Sequence, residues 1–243
     1  MDLNGAPESV VVIIAAINEE RGIGSTLAGL KRILRNASYL VVDGNSTDRT
    51  VYVAEEMGAK VLLQEETGKG QAIAQAIKHV KPNVDYAVFT DADFTYPAEY
   101  LLDMIRILRA NPDVGMVSGN RFANGSFGLG SMNNIFYVGN RFLALAQRLL
   151  NGVKLKDPLT GLRVIRWRIL RNWKPKSKGF DIEAEINHLV ERCGYSSIEV
   201  PINYRDRVGE KKLKLRHGLT ILKRILSESI YSSVAKHTHP SQT

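Results

Sequence analysis

The 243-residue chain has one cysteine, Cys193, and only 7% aromatic residues. A single cysteine cannot form an intramolecular disulfide, and it cannot build a zinc site by itself. The chain is therefore not a small disulfide scaffold, and we expect a reducing compartment. The length allows one domain with a large hydrophobic core that needs no covalent staples.

Long hydrophobic runs are also missing. The longest uninterrupted apolar run spans residues 10–17, whereas a membrane-spanning helix needs about 20 apolar residues. No basic segment followed by an apolar core opens the sequence, so we expect no secretory signal. These absences predict a protein that is soluble or peripheral on a membrane.

Positive charge is abundant and concentrated. Lys and Arg number 33 against 25 Asp and Glu, and eight basic residues stand against two acidic ones in residues 205–224. The basic residues of this segment are Arg205, Arg207, Lys211, Lys212, Lys214, Arg216, Lys223 and Arg224. Such a cluster can bind nucleic acid, anionic lipid or a phosphorylated substrate, or it can be a solvated helix face.

Strand-like and helix-like segments alternate over the first two thirds of the chain. The strands are predicted at residues 10–16, 39–42, 61–63, 86–90 and 114–118, with helical periodicity between them. This order predicts a mostly parallel sheet covered by helices, of Rossmann type, with ligands beyond the carboxyl ends of the strands. Asn18, Asp43 and Asp91 fall at those ends.

The remaining third has a different pattern. A Gly-rich loop at 124–131 precedes predicted helices at 133–150 and 184–193 and predicted strands within 155–166 and 198–204. From Leu215 onward, the periodicity predicts an amphipathic C-terminal helix. Its apolar face, which either packs on the domain or lies on a bilayer, is formed by Leu219, Leu222, Leu226 and Ile230.

The most informative motif is Asp91-Ala92-Asp93, directly after an apolar strand. Two carboxylates at this spacing can share a hard cation, Mg²⁺ or Mn²⁺, with the phosphates of a bound nucleotide. Asp43, at the end of the second strand, strengthens this interpretation. The alternative is a pair of aspartates that only stabilise a turn.

A series of motifs over residues 10–216 resembles the family 2 glycosyltransferases of the GT-A fold, in the family's order. The earlier motifs are VVDGNSTDRT at 41–50, GKG at 68–70, DAD at 91–93, SGNR at 118–121 and DPLTGLR at 157–163. The last three, GFDIE at 179–183, EVPI at 199–202 and RVGEKKL at 207–213, resemble the polyprenyl-phosphate branch, the dolichol-phosphate mannose and glucose synthases.

The resemblance implies an α/β GT-A fold with a Rossmann-like, mostly parallel central sheet flanked by helices. It implies one domain over residues 1–230, with a nucleotide-sugar half at 8–122, an acceptor half at 123–230 and a flexible tail at 231–243. The implied activity is metal-dependent, inverting transfer of a hexose from a nucleotide-sugar, GDP-mannose or UDP-glucose, to dolichyl or polyprenyl phosphate.

The same resemblance assigns the candidate site residues. The metal ligands, for Mg²⁺ or Mn²⁺, are Asp91, Asp93 and Thr95. The residues assigned to catalysis are Asp93, Arg121 and Asp157. The nucleotide-sugar is assigned to Ala15, Ile17, Glu19, Asp43, Lys69, Asp91 and Ala92. The acceptor phosphate is assigned to Arg121, Arg207 and Lys212.

The chain departs from the family pattern at three places, and two roles stay open. AAINE at 15–19 lacks the family's aromatic residue, Thr95 replaces a glutamine, and Asn133 and Asn134 stand where an arginine is expected. Asp157 either approaches the sugar or acceptor or caps the turn at Pro158. We interpret Glu183 as structural, since an acidic residue suits the start of a helix.

Three other functions remain as alternatives. A glycosyltransferase with a soluble or cell-surface glycan acceptor would share the N-terminal motifs but would have little use for Arg207 and Lys212. A nucleotidyltransferase usually carries a Gly-rich loop in its first β-α turn, which residues 15–24 lack. A basic nucleic-acid-binding protein would explain the basic segment alone. We expect no nucleic-acid partner, a peripheral location on the cytosolic face of a membrane, and either direct membrane binding or a membrane anchor protein.

Overall fold

A seven-stranded mixed sheet organises the chain. The computed structural model describes residues 9–123, 135–210 and 212–237, with the backbone alone for 231–237. The strands are β1 (Val10–Ala16), β2 (Ser38–Asp43), β3 (Lys60–Leu63), β4 (Tyr86–Asp91), β5 (Val114–Asn120), β6 (Arg163–Arg166) and β7 (Ser196–Pro201). Their order across the sheet is β3-β2-β1-β4-β6-β5-β7.

Helices follow the strands in the order that the sequence predicts. They are α1 (Glu20–Ile33), α2 (Thr50–Glu56), α3 (Lys69–His79), α4 (Leu101–Ala110), α5 (Ile135–Asn151), α6 (Trp167–Leu170), α7 (Ile182–Arg192) and α8 (Arg216–His237). A short 3₁₀ turn, Ala98–Tyr100, precedes α4. The predicted α/β class with a mostly parallel sheet is confirmed.

Strand β1 is apolar throughout because both of its faces are covered. Along β1, Val12 and Ile14 pack under α1 and α4, while Val11 and Ile13 pack under α3 and α7. All four side chains are buried. This two-sided burial explains why β1 reads as a continuous aliphatic run rather than as an alternation.

The insertion of β6 between β4 and β5 was not predicted. β6 runs antiparallel to both neighbours, whereas the other pairs in the sheet are parallel. It is shorter than the predicted segment at 155–166, because the residues before Arg163 form a loop along the end of the sheet. The predicted strand at 198–204 is instead β7, which ends at Pro201.

A third apolar cluster joins the C-terminal helices to the domain. Leu143 of α5 and Ala184 of α7 pack with Ile221 and Ile225 of α8. The packed side of α8 is therefore not the predicted stripe, because Leu219, Leu226 and Ile230 are exposed. With apolar residues on both sides, α8 does not confirm the predicted amphipathic pattern.

Two segments for which the sequence made predictions, the C-terminal tail and the Gly-rich loop, lie partly or wholly outside the described residues. α8 continues to His237, so residues 231–237 are helical where a flexible tail was expected, and 238–243 lie outside the described residues. The Gly-rich loop at 124–131, with Asn133 and Asn134, also lies outside them. Within the residues that the structure covers, no helix is both long enough and apolar enough to cross a membrane.

The first prediction compares adjacent leucines of α4. Leu101 is 0% exposed and Leu102 is 41% exposed. Leu101→Ala leaves a cavity in the core and should lower the free energy of unfolding by about 2–5 kcal/mol. Leu102→Ala should change it by less than about 1 kcal/mol. Urea unfolding followed by circular dichroism measures both, and equal losses would contradict the packing described here.

Candidate active site

The carboxyl ends of three parallel strands bring the predicted acidic residues to one edge of the sheet. In the strand register, Ala16 of β1 pairs with Asp43 of β2, and Ala15 pairs with Asp91 of β4. Asp43 and Asp91 therefore flank the end of β1 on its two sides. This confirms the predicted edge of the sheet as the place where the motifs meet.

Asp91 forms a partly buried ion pair with Lys69, the first residue of α3. Lys69 Nζ lies 2.7 Å from Asp91 Oδ1 and 2.6 Å from Glu183 Oε1. Burial by itself would raise the pKa of Asp91, but the Lys69 ammonium outweighs burial and holds that pKa below its usual value. Burial likewise opposes the charge on Lys69, and its two carboxylate partners raise its pKa above the ordinary value.

Glu183 makes a contact beyond the helix start from which we interpreted it as structural. Its carboxylate is buried and reaches Lys69 across the end of the sheet. Glu183 lies in the first turn of α7, which is why the sequence pattern suggested only a helix start. The GFDIE motif was the available signal, but its spacing does not show which strand end the side chain faces.

Asp93 is almost completely buried and has two partners. The Thr95 hydroxyl donates to Asp93 Oδ1 at 2.6 Å, and Arg207 Nη1 lies 2.6 Å from Asp93 Oδ2. Burial and the negative charge of Asp91 raise the pKa of Asp93. Thr95 therefore positions Asp93 in this structure, and its role as a metal ligand stays a prediction.

Phe94, between Asp93 and Thr95, has a left-handed backbone with φ of 63°. This conformation is uncommon for a bulky residue and is found mainly where surrounding contacts enforce it. The Phe94 amide donates to the Thr26 hydroxyl at 3.0 Å, and the Arg205 guanidinium lies 4.6 Å from the ring centroid. The turn that carries Asp93 is thus held on both sides.

The basic segment after β7 folds back over these acids. Arg207 contacts Glu19 as well as Asp93, and Lys212 Nζ lies 2.7 Å from Glu19 Oε1. The backbone follows the same path, since the Val208 amide donates to the Asp93 carbonyl at 3.3 Å. Glu19 was assigned to the nucleotide-sugar, but in this structure it lies against two cations that were assigned to the acceptor.

Arg121 and Asp157 form a bidentate pair. Arg121 Nε and Nη2 each donate to a different oxygen of Asp157 at 2.7 Å. Asp157 is 0% exposed, and Asn140 of α5 donates to it at 3.0 Å. In this structure Asp157 therefore holds Arg121, and the two roles that the sequence left open for it stay predictions. The Arg121 charge also helps to lower the pKa of the Asp91 carboxyl.

Two residues that sequence reasoning did not assign hold the loop that carries Asp157. Glu199 accepts the amides of Lys156 and Asp157 at 2.9 and 2.7 Å. The buried Arg163 donates to the carbonyls of Pro158 and Thr160. Both residues lie within the EVPI and DPLTGLR motifs, so the signal was present. The Glu199 contacts, however, join positions 42 and 43 residues apart, which no local pattern reveals.

The residues predicted on the donor side lie around the end of β1. Asp43 is buried and accepts the Ser46 amide at 2.7 Å and the Ser46 hydroxyl at 2.5 Å. Ile17 is 43% exposed at the same edge. Ala15 is half-buried and Ala92 is buried. Their assignment to the nucleotide-sugar stays a prediction.

Asp91 and Asp93 fit a divalent cation that is shared with a phosphate ligand. Mg²⁺ and Mn²⁺ sites of this kind need only one or two carboxylates, because phosphate oxygens and water complete the coordination. Among the described residues, no group of three or more His, Cys, Asp or Glu side chains is placed to hold a metal ion. Gly161 leaves room beside Asp91, since a Cβ there would lie 2.7 Å from Asp91 Oδ2.

Sequence comparisons relate this fold and site to known enzymes. The family model described as Glycosyl transferase family 2 matches residues 11–173. A dolichyl-phosphate hexose transferase of Haloferax volcanii is 36% identical over 85% of this chain and 87% of that protein. Glycosyltransferase AglJ of the same organism is 32% identical over 83% of this chain and 64% of that protein.

Solved structures support the fold. Glucosyl-3-phosphoglycerate synthase from Mycobacterium tuberculosis, in complex with UDP, superposes with a TM-score of 0.70 at 20% identity, covering 91% of this chain and 80% of that one. The same enzyme is also known in complex with Mn²⁺, UDP-glucose and phosphoglyceric acid. At this identity the likeness establishes the GT-A type of fold and not the substrate.

The second prediction compares a buried ion pair with an exposed one. Asp157→Asn leaves the Arg121 guanidinium without its counter-charge and should lower the free energy of unfolding by about 3–5 kcal/mol. Glu99→Gln removes a half-exposed partner of Arg205, 3.2 Å away, and should cost less than about 1 kcal/mol. Urea unfolding of both variants is the measurement. A stable Asp157→Asn protein would mean that the pair does not hold the loop.

Proposed function

Because the chain belongs to glycosyl transferase family 2, we propose that it transfers a hexose from a nucleotide-sugar to dolichyl or polyprenyl phosphate, with Mg²⁺ or Mn²⁺ as cofactor. The relative with dolichyl-phosphate hexose transferase activity, at 36% identity over most of both chains, supports this acceptor class. The donors that we consider are GDP-mannose and UDP-glucose.

The contact between Arg207 and Asp93 is the observation that carries the proposal. It brings a basic segment from the acceptor half directly onto the acidic motif of the nucleotide-sugar half. An acceptor that is itself a phosphate needs such cations, because its charged oxygen has to approach a charged diphosphate. A neutral hydroxyl acceptor would not need them.

A phosphate acceptor also reduces the demand for a general base. Its second ionisation lies near pH 6, so at neutral pH it carries a nucleophilic oxygen already. Arg207 and Lys212 would orient this oxygen for attack on the anomeric carbon from the face opposite the leaving group, which inverts the configuration. Arg121 would assist through Nη1, the guanidinium nitrogen that the bonds to Asp157 do not use.

The nucleotide-sugar would lie at the carboxyl ends of β1, β2 and β4. Asp91 and Asp93, with Thr95 beside them, would hold the divalent cation, which stabilises the charge of the departing nucleoside diphosphate. Arg207 neutralises Asp93 in this structure, and a cation that takes over this charge would leave the guanidinium to the acceptor. Asp43, Ile17 and Lys69 would bind the rest of the donor.

A lipid-linked acceptor requires the protein to work at a membrane surface. We therefore propose a peripheral location on the cytosolic face of a membrane, reached by direct binding or through an anchor protein. The concentration of basic residues in 205–224 supports a surface with negative charge.

The third prediction tests the reaction itself. The full chain is incubated with polyprenyl phosphate, Mg²⁺ or Mn²⁺, and either GDP-mannose or UDP-glucose, and labelled lipid is measured. One donor should label the lipid, and chelation with EDTA should abolish transfer. Asp93→Asn should lower turnover by about 10²–10³-fold, because it removes charge stabilisation at the leaving group.

Asp103→Asn is the matched control for this experiment, because Asp103 is an exposed aspartate on α4 that pairs with Arg106. It should retain full activity. If neither donor labels the lipid while a soluble phosphorylated or glycan acceptor is labelled, the proposed acceptor class is wrong.

A further inference from the structure

Helices α5 and α8 together present an exposed apolar surface. On α5 it consists of Ile135, Val138, Phe142, Leu145 and Leu149, spaced alternately three and four residues apart. On the α8 side it consists of Leu215, Leu219, Leu226 and Ile230. These nine side chains, the α5–α8 face, are each between 45% and 74% exposed. Soluble monomers rarely leave so many large apolar side chains together at the surface.

The two apolar stripes point in the same direction. Both helices are fixed to α7 by their opposite sides, since Leu143 and Ile221 pack on Ala184 and Gln147 donates to the Ala184 carbonyl at 2.7 Å. Between the stripes, Ala146 of α5 and Leu222 of α8 are partly buried in the same cluster. The stripes therefore border one seam and form a continuous surface.

Basic residues flank this surface on both outer edges. At 100° per residue, Arg141 and Arg148 lie on the side of α5 turned away from α8, and Arg216 and Lys223 lie on the side of α8 turned away from α5. All four are exposed. α5 contains no Asp or Glu, and among residues 216–230 of α8 the one acidic residue, Glu228, is buried.

We propose that the α5–α8 face docks the protein onto an anionic lipid bilayer, with the apolar stripes in the acyl boundary and the flanking cations at the headgroups. This combination of an apolar face with basic edges is what an interfacial helix needs. The choice of a lipid surface agrees with, and in part rests on, the proposed lipid-linked acceptor.

The basic edges of the α5–α8 face argue against a second copy of the chain or a protein partner as its occupant. A symmetric dimer through this face would bring the basic edges of two copies together without an acidic partner, and like charges at an interface are unfavourable. A protein partner would have to supply acidic residues along both edges. A bilayer that contains anionic lipids meets both requirements at once.

The fourth prediction is tested by flotation of the purified full chain with protein-free vesicles. Vesicles of phosphatidylcholine mixed with phosphatidylglycerol should bind the wild type, and pure phosphatidylcholine should bind it less. Leu145→Glu/Leu149→Glu should lower binding by more than about tenfold, since two buried leucines are lost from the bilayer. Arg141→Glu/Arg148→Glu should lose binding to the anionic vesicles mainly, by about fivefold or more per charge.

Leu102→Glu is the control, because it places a glutamate on an exposed leucine of another helix. It should bind vesicles as the wild type does. All variants alter exposed side chains, so their thermal unfolding midpoints should match the wild type, which separates loss of docking from loss of folding.

Three results would overturn the proposal. The first is that Leu145→Glu/Leu149→Glu floats with the vesicles as well as the wild type does. The second is that the wild type does not bind protein-free vesicles, which would favour a protein partner. The third is a wild-type dimer in sedimentation that this double variant dissociates, with no vesicle binding by either protein, which would make the face a self-interface.

A second readout separates this inference from the proposed function. Transfer to a short-chain, water-soluble prenyl phosphate does not require docking, so Leu145→Glu/Leu149→Glu should retain it. If vesicle binding behaves as expected and no prenyl phosphate is labelled, the proposed function fails and the docking surface stands. If the soluble acceptor is labelled and the wild type does not bind vesicles, the docking surface fails and the function stands.

Discussion

Charge compensation at the carboxyl edge of the sheet is the constraint on which the rest of the site depends. Asp91, Asp93 and Glu19 would repel one another in a poorly solvated place, and each is neutralised by a cation from a distant part of the chain. Burying such charges is costly unless they are paired. The need for these counter-charges explains why α3 begins with Lys69 beside Asp91 and why the segment after β7 runs back over Asp93 and Glu19.

Much of this arrangement could be predicted from the sequence because neighbouring parallel strands end at the same edge of the sheet. Apolar runs located β1, β2 and β4, and the carboxyl ends of parallel strands necessarily share one edge. Asp43 and Asp91 could therefore be placed together without any tertiary information. The basic segment could be assigned to the same place only through the family resemblance, since no local pattern sets its path.

The parts that could not be predicted depend on contacts between distant residues. Glu183 resembles an ordinary first-turn acid until α7 is placed against Lys69. Arg163 is likewise an unremarked strand residue until α7 brings the Asn187 side chain within 2.9 Å of its guanidinium. Which of its two outcomes, packing or exposure, applies to the apolar stripe of α8 could not be predicted for the same reason. Helical periodicity shows that a face is apolar, but the packing of Ile221 and Ile225 decides which side is covered.

The position of β6 prevents the chain from being divided into two fragments that each keep an intact sheet. β5 lies in the predicted nucleotide-sugar half, residues 8–122, yet both of its neighbours, β6 and β7, come from the predicted acceptor half. A fragment cut after residue 122 would strip β5 of every backbone hydrogen bond across the sheet and leave one side of β4 bare. New acceptor specificity therefore has to arise by point changes within a single cooperative unit, and not by exchange of whole modules as in multidomain enzymes.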